Sequence, residues 1–180
     1  MVERKFFVET AVGKNEVADY LLAIKHDARA TTFNYIKNIT EEELDWQPYP
    51  GWNSVAALLA HIVAIDHYFR IIFIEGRDFT EQEEREISPG LDLGKFNSTF
   101  KGKPVEYYRE QLQTSYEQTQ KAIAGMDAGT FFKRRYDDYD KVKGSDMAWI
   151  LFHGAEDEVH HRGQISIIRK LYKEMKGKQP

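Results

Sequence analysis

Apolar side chains recur along this chain at steps of three and four residues, the repeat of an α-helix seen from one side. Four stretches carry the pattern at length. The first covers about residues 14–38, where Val17, Leu21, Ile24, Ala28 and Tyr35 mark one stripe that is expected to face the core. The second covers about residues 54–75, behind Asn53 and Ser54, either of which can cap a helix. Val55, Leu58, Leu59, Ile62, Val63, Phe69, Ile72 and Phe73 make it apolar on more than one side. Such a helix belongs at the centre of a fold, or between its own core and a second subunit. The third opens at Pro104, a residue suited to a first helical turn, and carries Val105, Tyr108, Leu112, Tyr116, Thr119, Ile123 and Met126 as a stripe. The fourth runs from about Ser145 to Lys173, with Ser145 as the expected cap and Asp146 at the positive end of the dipole.

Breaks separate these stretches. Thr40 and Glu43 predict a capping box on a short helix, and Pro48, Pro50 and Gly51 end it. Residues 76–103 are polar and contain Pro89, Gly90, Gly94 and Gly102; they read as a crossover connection, helical in part over Thr80–Glu86. A second irregular stretch covers residues 127–144. No strand-like alternation, internal repeat or low-complexity tract interrupts this order. The prediction is a single all-α domain over residues 1–180, a four-helix bundle with long crossover connections. The connections are expected to line a pocket around Phe96–Phe100 and Phe131–Tyr139, because loops on a rigid scaffold carry binding residues.

Composition narrows the function. The 180 residues suffice for one substantial core, and 42% hydrophobic with 30% charged residues is ordinary for a globular protein. With 25 basic and 29 acidic residues the net charge is −4, which argues against nucleic acid and anionic membrane as partners. No cysteine is present, so disulfides, protein thiolates and Cys-based zinc sites are excluded. The N-terminus lacks the apolar core of a signal peptide, and the apolar run Ile71–Ile74 is too short to span a bilayer. A soluble cytoplasmic protein is the expectation.

The fourth stretch contains an anomaly. Its apolar face starts with Met147, Ile150 and Leu151 and resumes with Ile165, Ile168 and Leu171. Between them the same face passes through Gly154, Asp157 or Glu158, and His161, so ionisable groups occupy a core face for about two turns. Buried charge without a partner is costly, and a metal ion is a partner that suits carboxylate and imidazole. Asp157 and His161 lie four residues apart and share a face, with His153 one turn further back. A third ligand must come from another helix. His61, amid Leu58, Leu59, Ile62 and Val63, is the candidate. Two nitrogens and one carboxylate oxygen suit Zn, Ni, Fe or Mn and leave open positions for water or substrate. The plain alternatives are that His61 is a hydrogen-bonded core histidine and that Asp157 and His161 form a surface pair. Glu158 and His160 are candidate general bases, and His160 is also placed to pair with Glu156.

His160 to Ile165, His-His-Arg-Gly-Gln-Ile, resembles the His-Arg-Gly-Gln signature of the DinB-like superfamily. Trp52–Val55 through Leu58–Ile62 resembles that family's segment around its first histidine, and Leu44–Pro48 its short pre-helix segment. The resemblance implies a four-helix bundle holding a divalent metal on three histidines, one from the second helix and two from the last. Carried over, these fall on His61, Asp157 and His161, with Asp157 standing where the family has His. Arg162 and Gln164 match the motif, and the resemblance gives them packing or supporting roles. It further implies a metal-dependent hydrolase, or a transferase using a low-molecular-weight thiol as cosubstrate, acting on a small molecule, and a homodimer. The contrasting expectation is a non-catalytic dimeric bundle, a binding or stress-response protein with a degenerate metal site.

Overall fold

The computed structural model of the chain describes residues 4–5, 15–95, 97–136 and 144–176. Long helices form where the periodicity places them: α1 (Glu16–Tyr35), α3 (Val55–Tyr68), α5 (Val105–Ile123) and α7 (Met147–Lys176). Shorter helices α2 (Glu41–Asp45), α4 (Glu81–Leu91) and α6 (Ala128–Phe131) lie between them. Asn15, Thr40, Ser54 and Thr80 each accept a hydrogen bond from a first-turn N–H, satisfying donors that the helix itself leaves unpaired. Two capping details differ from expectation. The box expected at Thr40 is half formed, because the Glu43 carboxylate turns to Arg169 (Nε to Oε1 2.6 Å); the complete box is at Thr80 and Glu83. At α7 it is Asp146 whose carboxylate accepts from the Trp149 N–H at 2.9 Å, while Ser145 pairs its backbone with Arg135.

Contacts fix the directions. Lys25 lies against Gly154, Arg29 bonds Glu158, and Arg169 bonds the Tyr35 carbonyl, so α1 and α7 run parallel. On α3, His61 meets α7 at Asp157 while Asp66 bonds Lys25 earlier along α1, so α3 runs opposite to them. Tyr108 and Leu112 of α5 share a cluster with Leu58 and Leu59, and Ile123 shares one with Phe73, so α5 runs with α3. Two consecutive long helices pointing the same way require one long crossover. Residues 76–104 supply it, and α4 within them packs on α3.

Pro89 does not end α4, which continues to Leu91. Proline removes one intrahelical bond. Near the end of a helix that loss is offset by burying Ile87 and Gly90 against α3. Beyond Tyr68 the α3 ladder widens into a π-helical segment, Phe69–Glu75, which ends on Gly76 in the left-handed region (φ 68°) that glycine tolerates. Together Val55–Glu75 are long and apolar enough to cross a membrane, but more than half of the most apolar window, 56%, is buried inside the bundle. The all-round apolarity of this helix is therefore spent on the chain's own core.

The core has layers. Phe33, Ile36, Leu58, Leu59, Leu112 and Ile165 pack at one end, and Ala18, Phe73, Ile123, Phe131, Met147 and Leu151 at the other. Between them every long helix contributes polar side chains: Lys25 and Arg29, His61 and Asp66, Ser115 and Thr119, Glu158 and His161, all buried. The stripe expected to bury α1 holds only in part for this reason. Ala28 is buried and Leu21 packs against the core, but Val17, Ile24 and Tyr35 are exposed, and the buried face also carries Ala18, Lys25, Arg29 and Phe33. Periodicity ranks faces by apolarity and cannot anticipate that two cations find buried carboxylates across the bundle.

Candidate metal centre

Two groups of partners make up the polar layer. In the first, Arg29 donates from Nε and Nη2 to the two oxygens of Glu158 at 2.9 and 3.0 Å, and from Nη2 to Asp66 at 2.9 Å. Lys25 donates to the other Asp66 oxygen at 2.5 Å, and Ser115 adds a hydroxyl at 2.8 Å. Two cations thus face two carboxylates, with hydrogen bonds replacing the lost hydration. Burial pushes the Asp66 carboxyl up, but Lys25 and Arg29 overcome it and bring the group down to about 2. Burial opposes the Arg29 charge as well, and Glu158 and Asp66 hold it protonated above its ordinary range.

The second group is His61, Asp157 and His161. One ligand atom from each falls within 4.8 Å of the others. His61 Nε2 lies 3.6 Å from Asp157 Oδ2, His161 Nε2 lies 3.2 Å from Asp157 Oδ1, and the two imidazoles meet edge to face at 4.7 Å between centroids. Both histidines are buried and Asp157 is partly open, its side chain 17% exposed. α7 brings Asp157 and His161 together through their four-residue spacing, and the antiparallel α3 brings His61 to the same level.

The remaining ring nitrogens decide what these groups present. His61 Nδ1 lies 2.8 Å from the Gly90 carbonyl oxygen, which can only accept, so Nδ1 carries a proton. His161 Nδ1 lies 3.0 Å from Gln164 Oε1, and the Gln164 amide nitrogen lies 3.0 Å from His160 Nε2. A neutral imidazole with its proton on Nδ1 has its lone pair on Nε2. Both lone pairs then face a carboxylate, and Asp157 Oδ2 is buried with no hydrogen-bond donor among the described residues. Three electron-rich atoms converging on one point require positive charge between them, either a proton or a metal ion. Burial pushes the Asp157 carboxyl up, but when the facing imidazoles carry the proton, hydrogen bonding and charge from His161 and His61 hold it well below the ordinary carboxylate range. Burial likewise pushes His161 down, and Asp157 more than reverses this, raising it above its ordinary value. The donor set fits a divalent ion: His61 and His161 supply nitrogen, Asp157 supplies oxygen, and Gly90 and Gln164 supply the outer hydrogen bonds that fix ligating histidines elsewhere.

The other sequence candidates lie apart from this triad. Glu158 is fully buried and held by Arg29, a placement suited to a structural ion pair rather than to moving a proton for a substrate. His160 is exposed and bonds Gln164, not Glu156, whose carboxylate goes to His153. His153 stacks on Trp149 at 4.6 Å. Arg162 donates to the Ala28 carbonyl and ties α7 to α1. Gly90 is legible in the sequence only as a turn residue, and Asp66, the one carboxylate in the largely apolar α3, is the signal that points to the buried ion pairs.

A cavity of 530 Å³ lies among α3, α4, α5 and the 3₁₀ turn Asn97–Phe100. Ala60, Ala64, Gly90, Arg70, Phe100 and Tyr107 are among its lining residues. The expected pocket contribution of Phe96–Phe100 is thus met by Thr99 and Phe100. Residues 131–136 are not among the lining, and Phe96 and residues 137–139 lie outside the described residues.

The sequence profile of the DinB superfamily matches residues 26–165, a span that holds all three residues of the triad. A solved structure of a conserved protein from Enterococcus faecalis has a similar fold, with a TM-score of 0.66 over 89% of this chain and 98% of that one, at 15% identity. No curated protein matches the chain.

Proposed function

This chain belongs to the DinB superfamily, and from that premise we propose that it is a divalent-metal-dependent enzyme. The reaction is hydrolysis, or transfer to a low-molecular-weight thiol. The observation that carries this reading is the convergence of His61 Nε2, His161 Nε2 and the Asp157 carboxylate within 4.8 Å, with each Nδ1 hydrogen-bonded elsewhere. A bound ion supplies Lewis acidity toward a water, a thiol or a substrate oxygen. Three protein ligands leave coordination positions open, as catalytic sites do. Zn and Ni lead the candidates, followed by Fe and Mn; Asp157 in place of a third imidazole lowers the site charge by one and shifts preference toward harder ions. Any thiol comes from a small cosubstrate, because the chain has no cysteine. The 530 Å³ cavity beside α3 is of a size for a small molecule; Ala60, Ala64, Arg70, Lys103, Glu83 and Glu86 line it, next to the helix that carries His61, while the triad side chains themselves do not.

Elemental analysis of protein purified without added metal tests the reading. The expected result is about one divalent ion per chain, lost in His61→Ala and His161→Ala with helical circular dichroism intact. A wild-type chain that holds no ion, even after soaking with Zn, Ni, Mn and Fe, sinks it and leaves a non-catalytic dimeric binding bundle. Homodimerisation is also proposed, on the exposed apolar side chains of α1 and α7: Val17, Tyr20 and Ile24 on one, Phe152, Val159 and Ile167 on the other.

A further inference from the structure

Gly90 sits in the last turn of α4, where helix carbonyls have no partner inside the helix and carry the negative end of its dipole. Its carbonyl oxygen lies 2.8 Å from His61 Nδ1, although the two residues are 29 positions apart. We infer that Gly90 is a positioning residue of the metal centre: its carbonyl fixes His61 with the proton on Nδ1 and the lone pair on Nε2 aimed at Asp157 and His161. The inference rests on the metal reading above.

Two features make this a built contact. The acceptor is backbone at the end of a helix, so it neither rotates away nor becomes a donor. The partial negative charge of the α4 terminus also favours a cation at the far side of the ring, through the same ring polarisation that carboxylates and carbonyls impose on metal-bound histidines. The approach is possible because residue 90 has no side chain. A Cβ there would fall 2.7 Å from the Ala64 Cβ and 3.0 Å from the Ala60 carbonyl oxygen, both on α3. Neither neighbour is a flexible side-chain end. To restore ordinary contact, the end of α4 would retreat by about 0.7 Å, which stretches the 2.8 Å bond to the limit of hydrogen bonding. Glycine is needed here for proximity rather than for backbone freedom, since no positive φ is recorded at this position.

Cobalt(II) titration, read by visible absorption, and the nitrogen resonances of His61 in the metal-free protein at about pH 8, where an ordinary imidazole is neutral, test this together. The wild type is expected to show His61 protonated on Nδ1. Gly90→Ala is expected to shift His61 toward the Nε2-protonated form and to weaken cobalt binding by about 10- to 100-fold, the usual effect of removing an outer hydrogen bond. Gly90→Ala combined with Ala64→Gly removes the closest clash and is expected to recover part of both signals, which general destabilisation would not produce. Should Gly90→Ala fail to fold, the wild-type tautomer and the double variant still decide. Cobalt binding by the wild type with His61 protonated on Nε2, or a folded Gly90→Ala that binds cobalt as tightly, overturns the role of Gly90 alone. A wild type that takes up no cobalt overturns the metal reading itself.

Discussion

Asp66 is buried with Lys25, Arg29 and Ser115 on its oxygens, so removing it leaves two cations in the core without their shared partner. Breaking a buried pair in this way costs about 3–5 kcal/mol, and Asp66→Ala is expected to lower the urea midpoint accordingly. The same group sets acid stability. Its carboxyl is depressed from 3.8 to about 2, so its contribution is complete above the unfolded value of 3.8 and is lost as pH falls through about 2. The shift corresponds to about 2 kcal/mol. Urea titrations between about pH 5 and 2 should show this loss in the wild type and a flatter profile in Asp66→Asn. At this scale the sequence was partly legible. The triad could be found because helical spacing places Asp157 and His161 together and because a histidine amid leucines stands out. Gly90 could not, since nothing local distinguishes a glycine that admits a neighbouring helix from one that turns the chain. The apparent role of Glu158 changed because its partner, Arg29, lies 129 positions away.

At the scale of elements, α1 and α7 have two unlike faces. Inward, they meet through small residues and the charged pairs of the polar layer. Outward, α7 presents Phe152, Val159 and Ile167, all exposed, with Gly163 among them and nothing within 4 Å of the Cβ it lacks. α1 adds Val17, Tyr20 and Ile24. The dimer proposal therefore belongs to these helices and not to α3, whose apolar surface is already used. Val159→Glu places a charge on that face without touching the core. It is expected to convert a dimer to a monomer in light scattering while leaving the helical signal and metal content unchanged. A wild type that is monomeric at all concentrations would refute the proposal. The length and position of the helices followed from periodicity alone, but the rotation of α1 about its axis did not. Two faces competed on α1, and the charged one won because carboxylates wait for it on α3 and α7.

For the whole molecule, the metal proposal links the triad to stability. His61 comes from α3, and Asp157 and His161 from α7, so an ion held between them cross-links two helices and binds only the folded chain. At a free ion concentration about 100 times the dissociation constant this adds roughly 2.7 kcal/mol, or about 5–10 °C in Tm for a chain of this size. Calorimetry of metal-loaded and chelator-treated protein measures it. His61→Ala should abolish the difference, and an identical Tm in both wild-type forms would contradict the site.

The sequence by itself determined the class of fold. Apolar repeats of three and four set four long helices, caps and breakers bounded them, and motif spacing put two candidate ligands on one face of the last. These are local properties, encoded within a few turns of chain. The tertiary structure alone decided the register between helices. It settled which face of α1 is buried, that Arg29 takes Glu158, that His61 comes level with Asp157, and that α4 brings a backbone carbonyl to that histidine. Each depends on groups tens to more than a hundred residues apart, whose meeting is set by packing of the whole bundle and leaves no periodic trace in the chain.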